Sequence, residues 1–176
     1  LFSGLSRIER ATVVSAGRNA QFLPNQKLFS EQERVRQVVF LLSGCAKLTQ
    51  VAEDGTEVIL RISAAGDAVG ALCSKLVSAH RCTATALDLS IGIIWDVSVF
   101  EALTTRFPML RCNMVQILHN QLTELEQRFR EIATEKVASR LKKELVRLLK
   151  QMGQAGADGC VKIHLSQEEL AQLTGT

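Results

Sequence analysis

The chain has 176 residues, 47% of them hydrophobic, with 21 lysines and arginines against 18 aspartates and glutamates and a net charge of +3. That supplies a real core for one large domain or two small ones, but it is too weakly basic to argue for nucleic acid by itself. No apolar run approaches the roughly 20 residues that cross a bilayer, so no membrane partner is expected.

The cysteines (Cys45, Cys73, Cys82, Cys112 and Cys160) are odd in number and none forms a CxxC pair. This argues against a disulfide framework and against a zinc site with local spacing. A reducing, cytoplasmic setting is the simplest expectation. His80, His119 and His164 form no cluster, and each is expected at the surface or partly buried, not on a metal.

Leu1, Phe2, Leu5 and Ile8 open an amphipathic helix or helical pair that ends near Gly17. LFSGLSRIER lacks the basic-then-apolar layout of a signal peptide. QFLPNQKLFS reads as two short strands around the turn Pro24-Asn25-Gln26. VRQVVFLLSG is an apolar, β-branched strand stopped by Gly44. AKLTQVAEDGTEVILRIS is a hairpin, and Asp54-Gly55 predicts a type I′ turn with positive φ at both central residues. SAAGDAVGAL sets Gly66 and Gly70 around a turn, and HRCTATALDLSIGIIWDVSVFEAL yields two more strands broken near Asp88 and Asp96. Short strands between Gly44, Gly55, Gly66 and Gly70 predict a β-roll or jelly roll of about eight strands.

SVFEALTTRF is read as a helical turn feeding a long helix, with Pro108 in that helix's first turn. Val115, Leu118, Leu122, Leu125, Phe129 and Ile132 follow at steps of 3, 4, 3, 4 and 3. That is the a/d repeat of a two-stranded coiled coil. The seam is narrower than the stripe that docks a helix onto a globular core, so pairing with a second copy is expected. Ala133-Thr134-Glu135 breaks the repeat. EKVASRLKKELVRLLKQM then carries Val137, Leu141, Leu145, Leu148, Leu149 and Met152 on one wider face, typical of a helix that caps a small core. Gly153 stops it, QAGADG is a loop and VKIHL a short strand. Ser166 and Glu169 have capping-box spacing ahead of a helix that ends at Gly175. Strand, capped helix, then Gly-Thr is how a helix-turn-helix begins.

In this order the segments resemble the Crp/Fnr (cAMP receptor protein/FNR) family of bacterial transcription regulators, over nearly the whole chain. The resemblance rests on the glycine spacing, GDAVGAL followed by HRCTATA, KVASRLKKELVRLL and LSQEELAQLTGT. It implies an α+β fold with three parts. Residues 1–107 would form an antiparallel β-roll (a double-stranded β-helix like a cyclic-nucleotide-binding domain) that takes the effector. Residues 108–133 would be the coiled-coil dimerisation helix. Residues 134–176 would be the N-terminal part of a winged helix-turn-helix, truncated before the recognition helix. It also implies a homodimer on double-stranded operator DNA, controlled by a small-molecule effector, with RNA polymerase as a candidate partner and no enzyme activity.

In cyclic-nucleotide-binding members of the family, a Gly-Glu pair and an Arg-Ser or Arg-Thr pair bracket the phosphate segment. The resemblance places Gly70 and Arg81 at the glycine and arginine, but Ala71 at the glutamate and Cys82 at the hydroxyl. Leu125 and Glu126 stand where relatives use threonine and serine to reach the purine. Each lost polar contact costs about 1–3 kcal/mol if its partner stays buried, so tight cAMP binding is not expected. Residues 1–44 contain no cysteine for an iron–sulfur cluster, and no motif selects His80, His119 or a cysteine for haem, so the cofactor is left unknown. Cys82 and Cys73 are read as core residues, not redox sensors. Arg140, Lys142, Lys143 and Arg147 are read as a solvated face before they are read as a phosphate contact. Ser166 and Gln167 are the DNA-binding candidates, positioning on the phosphate backbone without reading bases. Two rival readings are a cyclic-nucleotide-binding module of a larger signalling protein, which would not need LSQEELAQLTGT, and a cupin-like enzyme, which would need a His/Glu metal cluster on the strands.

Overall fold

A computed structural model of the chain describes residues 1–72, 78–155, 161–162 and 165–175. Cys73, Cys160 and His164 lie outside the described residues. The first helix, α1 (Arg7–Ser15), is started by a capping box: Ser6 Oγ accepts from the Glu9 N–H at 3.3 Å, and the Glu9 carboxylate accepts from the Ser6 N–H at 2.8 Å. Eight strands follow: β1 (Arg18–Phe22), β2 (Lys27–Phe29), β3 (Gln37–Ser43), β4 (Ala46–Val51), β5 (Glu57–Ser63), β6 (Ala68–Val69), β7 (Thr83–Ala86) and β8 (Ser90–Asp96). They form two antiparallel four-stranded sheets, ordered β1-β8-β3-β6 and β2-β7-β4-β5. This is the predicted β-roll. The strands on either side of Pro24-Asn25-Gln26 do not pair with each other, however. β1 joins β8 and β2 joins β7, in opposite sheets.

Strand β3 shows why an unbroken apolar run suits this place. Side chains alternate across a strand, so Val39 and Leu41 point between the sheets while Val38 and Phe40 point toward the helices. The second group belongs to a core with Val13, Trp95, Phe100, Leu103 and Leu110. There the Trp95 indole N–H donates to Val13 O at 2.7 Å, satisfying the polar edge of a fully buried ring.

The β4–β5 turn departs from the predicted type I′. Gly55 has φ of +88°, but Asp54 does not enter the left-handed region. The loop runs from Ala52 to Thr56, closed by Gly55 N–H to Ala52 O at 2.9 Å, with Asp54 Oδ1 accepting from the Thr56 N–H at 2.9 Å. A longer loop does not need two positive φ angles.

Beyond the roll come α2 (Val97–Arg106), a full helix and not a single turn, and α3 (Pro108–Thr134) with Pro108 in its first turn. The chain bends at Glu135 into α4 (Val137–Met152). β9 (Gln154–Ala155), where a loop was expected, pairs with β10 (Val161–Lys162), and α5 (Gln167–Thr174) ends the described chain. The α4 face differs from the predicted one. Its most buried residues are Leu148 and Glu144, while Val137, Leu145 and Leu149 stay 37–49% exposed. α4 and α5 pack back on the roll through Leu148 and Leu173 against Ile59 and Ile62. Among the described residues no helix is long and apolar enough to cross a membrane.

Candidate functional site

A cavity of about 520 Å³ lies between the β4–β5 hairpin, residues 70–71 and 80–82, and α3. β4 and β5 are paired, with Leu48 opposite Arg61 and Thr49 opposite Ile59. The register steps by one there, leaving Leu60 with no opposite residue. Such a bulge re-aims side chains, and here Leu60 and Arg61 both line the cavity. From α3, Gln121, Leu125 and Arg128 recur at helical spacing and share the cavity face with Leu122 and Glu124.

Of the residues expected from sequence, Gly70, Ala71, Arg81, Cys82 and Leu125 all line this cavity. Glu126 does not. It is exposed, being turned about 100° from Leu125 around the helix, and the carboxylate at the cavity is Glu124. Gly70 has φ of +83°, and a Cβ there would come within 2.6 Å of the Phe29 ring and 3.2 Å of His80 Nδ1. The roll's own packing therefore demands this glycine. His80 is buried and stacks on Phe29 with centroids 3.7 Å apart. Among the described residues its Nδ1 has no hydrogen-bond partner, and burial lowers its pKa despite Glu33 nearby.

Sequence reasoning passed over Arg61, Gln121, Glu124 and Arg128. The two arginines differ. Arg128 donates to Leu60 O at 2.9 Å, pairs with Glu144 of α4, and has Glu124 at 3.8 Å. Glu144 in turn meets Arg147 at 3.0 Å; Arg147 pairs with Glu131, and Lys143 joins Glu131 at 3.8 Å and Glu135. This ladder runs from the cavity to the bend between α3 and α4. Arg147 is thus a half-buried ladder member, whereas Lys143 joins the ladder from the exposed face it shares with Lys142. Arg140 donates to Thr174 O at 2.9 Å and Glu135 O at 3.1 Å, tying α5 to the same bend. Arg61, by contrast, forms no ion pair with a described residue. It reaches Ala68 O at 3.4 Å, and with the Gln121 amide oriented to satisfy both groups, Gln121 Oε1 accepts from its two Nη atoms at 3.0 and 3.1 Å. Burial draws its pKa below the ordinary arginine value, offset in part by Asp67 and Glu124 acting from beyond ion-pair distance.

The Cys82 thiol is pushed up, chiefly by burial and against the pull of Arg61, and Cys45 is pushed up to about 12 by burial with Asp88 and Asp67 nearby. Both are poor thiolates. Ser166 and Gln167 are exposed at the start of α5. Ser166 Oγ accepts from the Glu169 N–H at 3.1 Å, and Glu169 also pairs with Lys47 of β4 at 2.8 Å.

The β-roll with a cavity closed by a long helix defines a class, and residues 20–106 match the cyclic nucleotide-binding domain. The chain is 24% identical over 176 residues to the CRP-like cAMP-activated global transcriptional regulator of Mycobacterium tuberculosis, covering 99% of this chain and 79% of that protein. Among solved structures it is similar to the c-di-GMP responsive global regulator CLP of Xanthomonas campestris (TM-score 0.79, 16% identity, 97% and 85% of the two chains). It is also similar to FixK2 of Bradyrhizobium japonicum (0.78, 14%, 90% and 77%) and to the catabolite activator protein of Thermus thermophilus (0.65, 22%, 99% and 79%). The chain thus carries the cyclic nucleotide-binding domain and is similar to CRP-like regulators along nearly its whole length.

Proposed function

We propose that this chain is a homodimeric, DNA-binding transcription regulator of the cytoplasm, switched by an effector held in the β-roll cavity. One observation carries the reading. Leu122 and Leu125 belong both to the exposed heptad seam of α3 and to the cavity wall. A partner helix seated on Val115, Leu118, Leu122, Leu125, Phe129 and Ile132 would lie across the cavity mouth, so occupancy and dimer register would be coupled. The Arg128–Glu144 pair supports a route onward, because it ties the cavity to α4 beyond the Thr134 bend. An effector that favours one arrangement of this bend shifts the population toward it.

In this reading residues 1–107 sense, 108–133 pair and 134–176 begin the DNA-binding unit. Ser166 and Gln167 would meet DNA phosphates, with RNA polymerase a further contact. The cavity fits a cyclic nucleotide poorly. Ala71 and Cys82 offer neither the carboxylate for a ribose hydroxyl nor the hydroxyl for a phosphate, and Gly70 is accounted for by its φ of +83° and its packing on Phe29.

The test is sedimentation of the full protein at micromolar concentration together with duplex binding at several salt concentrations. A dimer with salt-dependent duplex binding is expected; a monomer that binds no duplex overturns the reading. A cAMP Kd below about 10 μM, roughly −6.8 kcal/mol, would overturn the weak-cAMP part alone.

A further inference from the structure

Arg61 is a half-buried cation in the wall of the cavity, with no ion-pair partner among the described residues and only Asp67 and Glu124 acting from a distance. Its hydrogen-bond partners are neutral: Ala68 O and the Gln121 amide. The other charges on the helix wall are already engaged, Arg128 by Glu144 and Glu124. Gln50, on the strand wall, spends its amide N–H on Arg81 O at 2.6 Å. A guanidinium has five donors, so Arg61 keeps capacity for an acceptor, and a buried charge without a counter-charge is costly. The rest of the lining is largely apolar: Leu48, Leu60, Ala71, Cys82, Leu122 and Leu125. A polyhydroxylated or amine-rich ligand would find few free acceptors on these walls. An apolar ring or chain with one acid group would find both its needs met.

We propose that Arg61 makes this cavity a site for an apolar organic monoacid, with the carboxylate or an equivalent anion taken by Arg61 and the hydrocarbon body laid along the leucines. The inference rests on the effector-site reading of the cavity and names the chemistry of the effector. The volume suits a small aromatic or short aliphatic acid, within the usual range of about 300–1,000 Å³ for ligand pockets. Arg61 then serves as the specificity-determining residue. Arg81, tied by its backbone to Gln50, is secondary.

The probes are 2-naphthoate and octanoate, each compared with its uncharged amide, and cAMP, titrated calorimetrically into the full protein at pH 7.5. At least one acid is expected to bind about tenfold or more tightly than its own amide, the weight of a charge-assisted contact. Arg61→Met is expected to abolish that preference while leaving amide binding within about threefold, and Arg61→Lys to keep part of it. Without ligand, Arg61→Met should melt no lower than the wild type, because it removes an uncompensated charge; a purely structural arginine would make it melt lower. Equal binding of acid and amide, a preference that survives in Arg61→Met, or no binding of either acid overturns the proposal. If cAMP binds where the acids do not, the acid class fails but the effector site stands. If no probe binds and the protein is a monomer that ignores duplex DNA, both fail.

Discussion

Along α3 the two long faces carry opposite chemistry, and they carry it the wrong way round for an isolated chain. The inward face presents Gln121, Glu124, Arg128 and Glu131 to the roll and to α4. The outward face presents Val115, Leu118, Leu122, Leu125, Phe129 and Ile132, each 50–73% exposed, with Leu122 and Leu125 at its edge also reaching the cavity wall. The buried Glu131 carboxylate survives on the inner side because Arg147 hydrogen-bonds it, the condition that makes a buried charge tolerable. The outer side has no such compensation in a single chain. Covering it is worth about 1 kcal/mol per half-exposed side chain, which a second copy would supply. The inner face is thus complete within one chain, and the outer face is complete only in a pair.

The largest effect should come from breaking the inner face. Glu144→Ala leaves Arg128 and Arg147 without their shared carboxylate and is expected to cost about 3–5 kcal/mol in urea unfolding. Adding Arg128→Met should recover part of that loss, since the two sites act as one network. On the outer face, Phe129→Glu should weaken dimerisation at least about 30-fold, or 2 kcal/mol, in sedimentation. The monomer's circular dichroism should stay unchanged.

A graded effect should follow pH. Burial works to raise the Glu131 carboxyl, but hydrogen bonds from Arg147 and Gln127, with Lys143 nearby, outweigh it and hold the pKa below its ordinary value of 4.5. A depressed pKa stabilises the folded state fully above that ordinary value, and the gain is lost as pH falls below it. Unfolding free energy should therefore drop below about pH 4.5, with a shallower slope in Glu131→Gln. The smallest change should be Lys47→Ala. Its pair with Glu169 is partly exposed and is worth about 1 kcal/mol or less. Faster hydrogen exchange in α5 would show that helix loosening from the roll.

Much of this arrangement was legible in the residues. The heptad steps of α3, the glycine turns and the Ser166–Glu169 cap all reappear in the structure. The cavity was half legible. The resemblance pointed to the 70–82 segment and to Leu125, but counting along a helix put Glu126 where Glu124 stands. Arg61 was hidden because it sits in EVILRIS, where simple alternation is broken by the extra residue at Leu60. Glu144 stands among Lys142, Lys143 and Arg147 in the sequence, and only the packing of α3 against α4 buries it.

What the sequence by itself determined were the local elements and a family resemblance, because periodicity, caps and turn residues act over a few positions. What only the tertiary structure decided was which charges find partners. Arg128 and Glu144 are 16 residues apart and Arg128 and Leu60 are 68 apart. Neither pairing exists until the sheets and helices dock, and that docking is also what leaves Arg61 in the cavity wall with no ion-pair partner among the described residues.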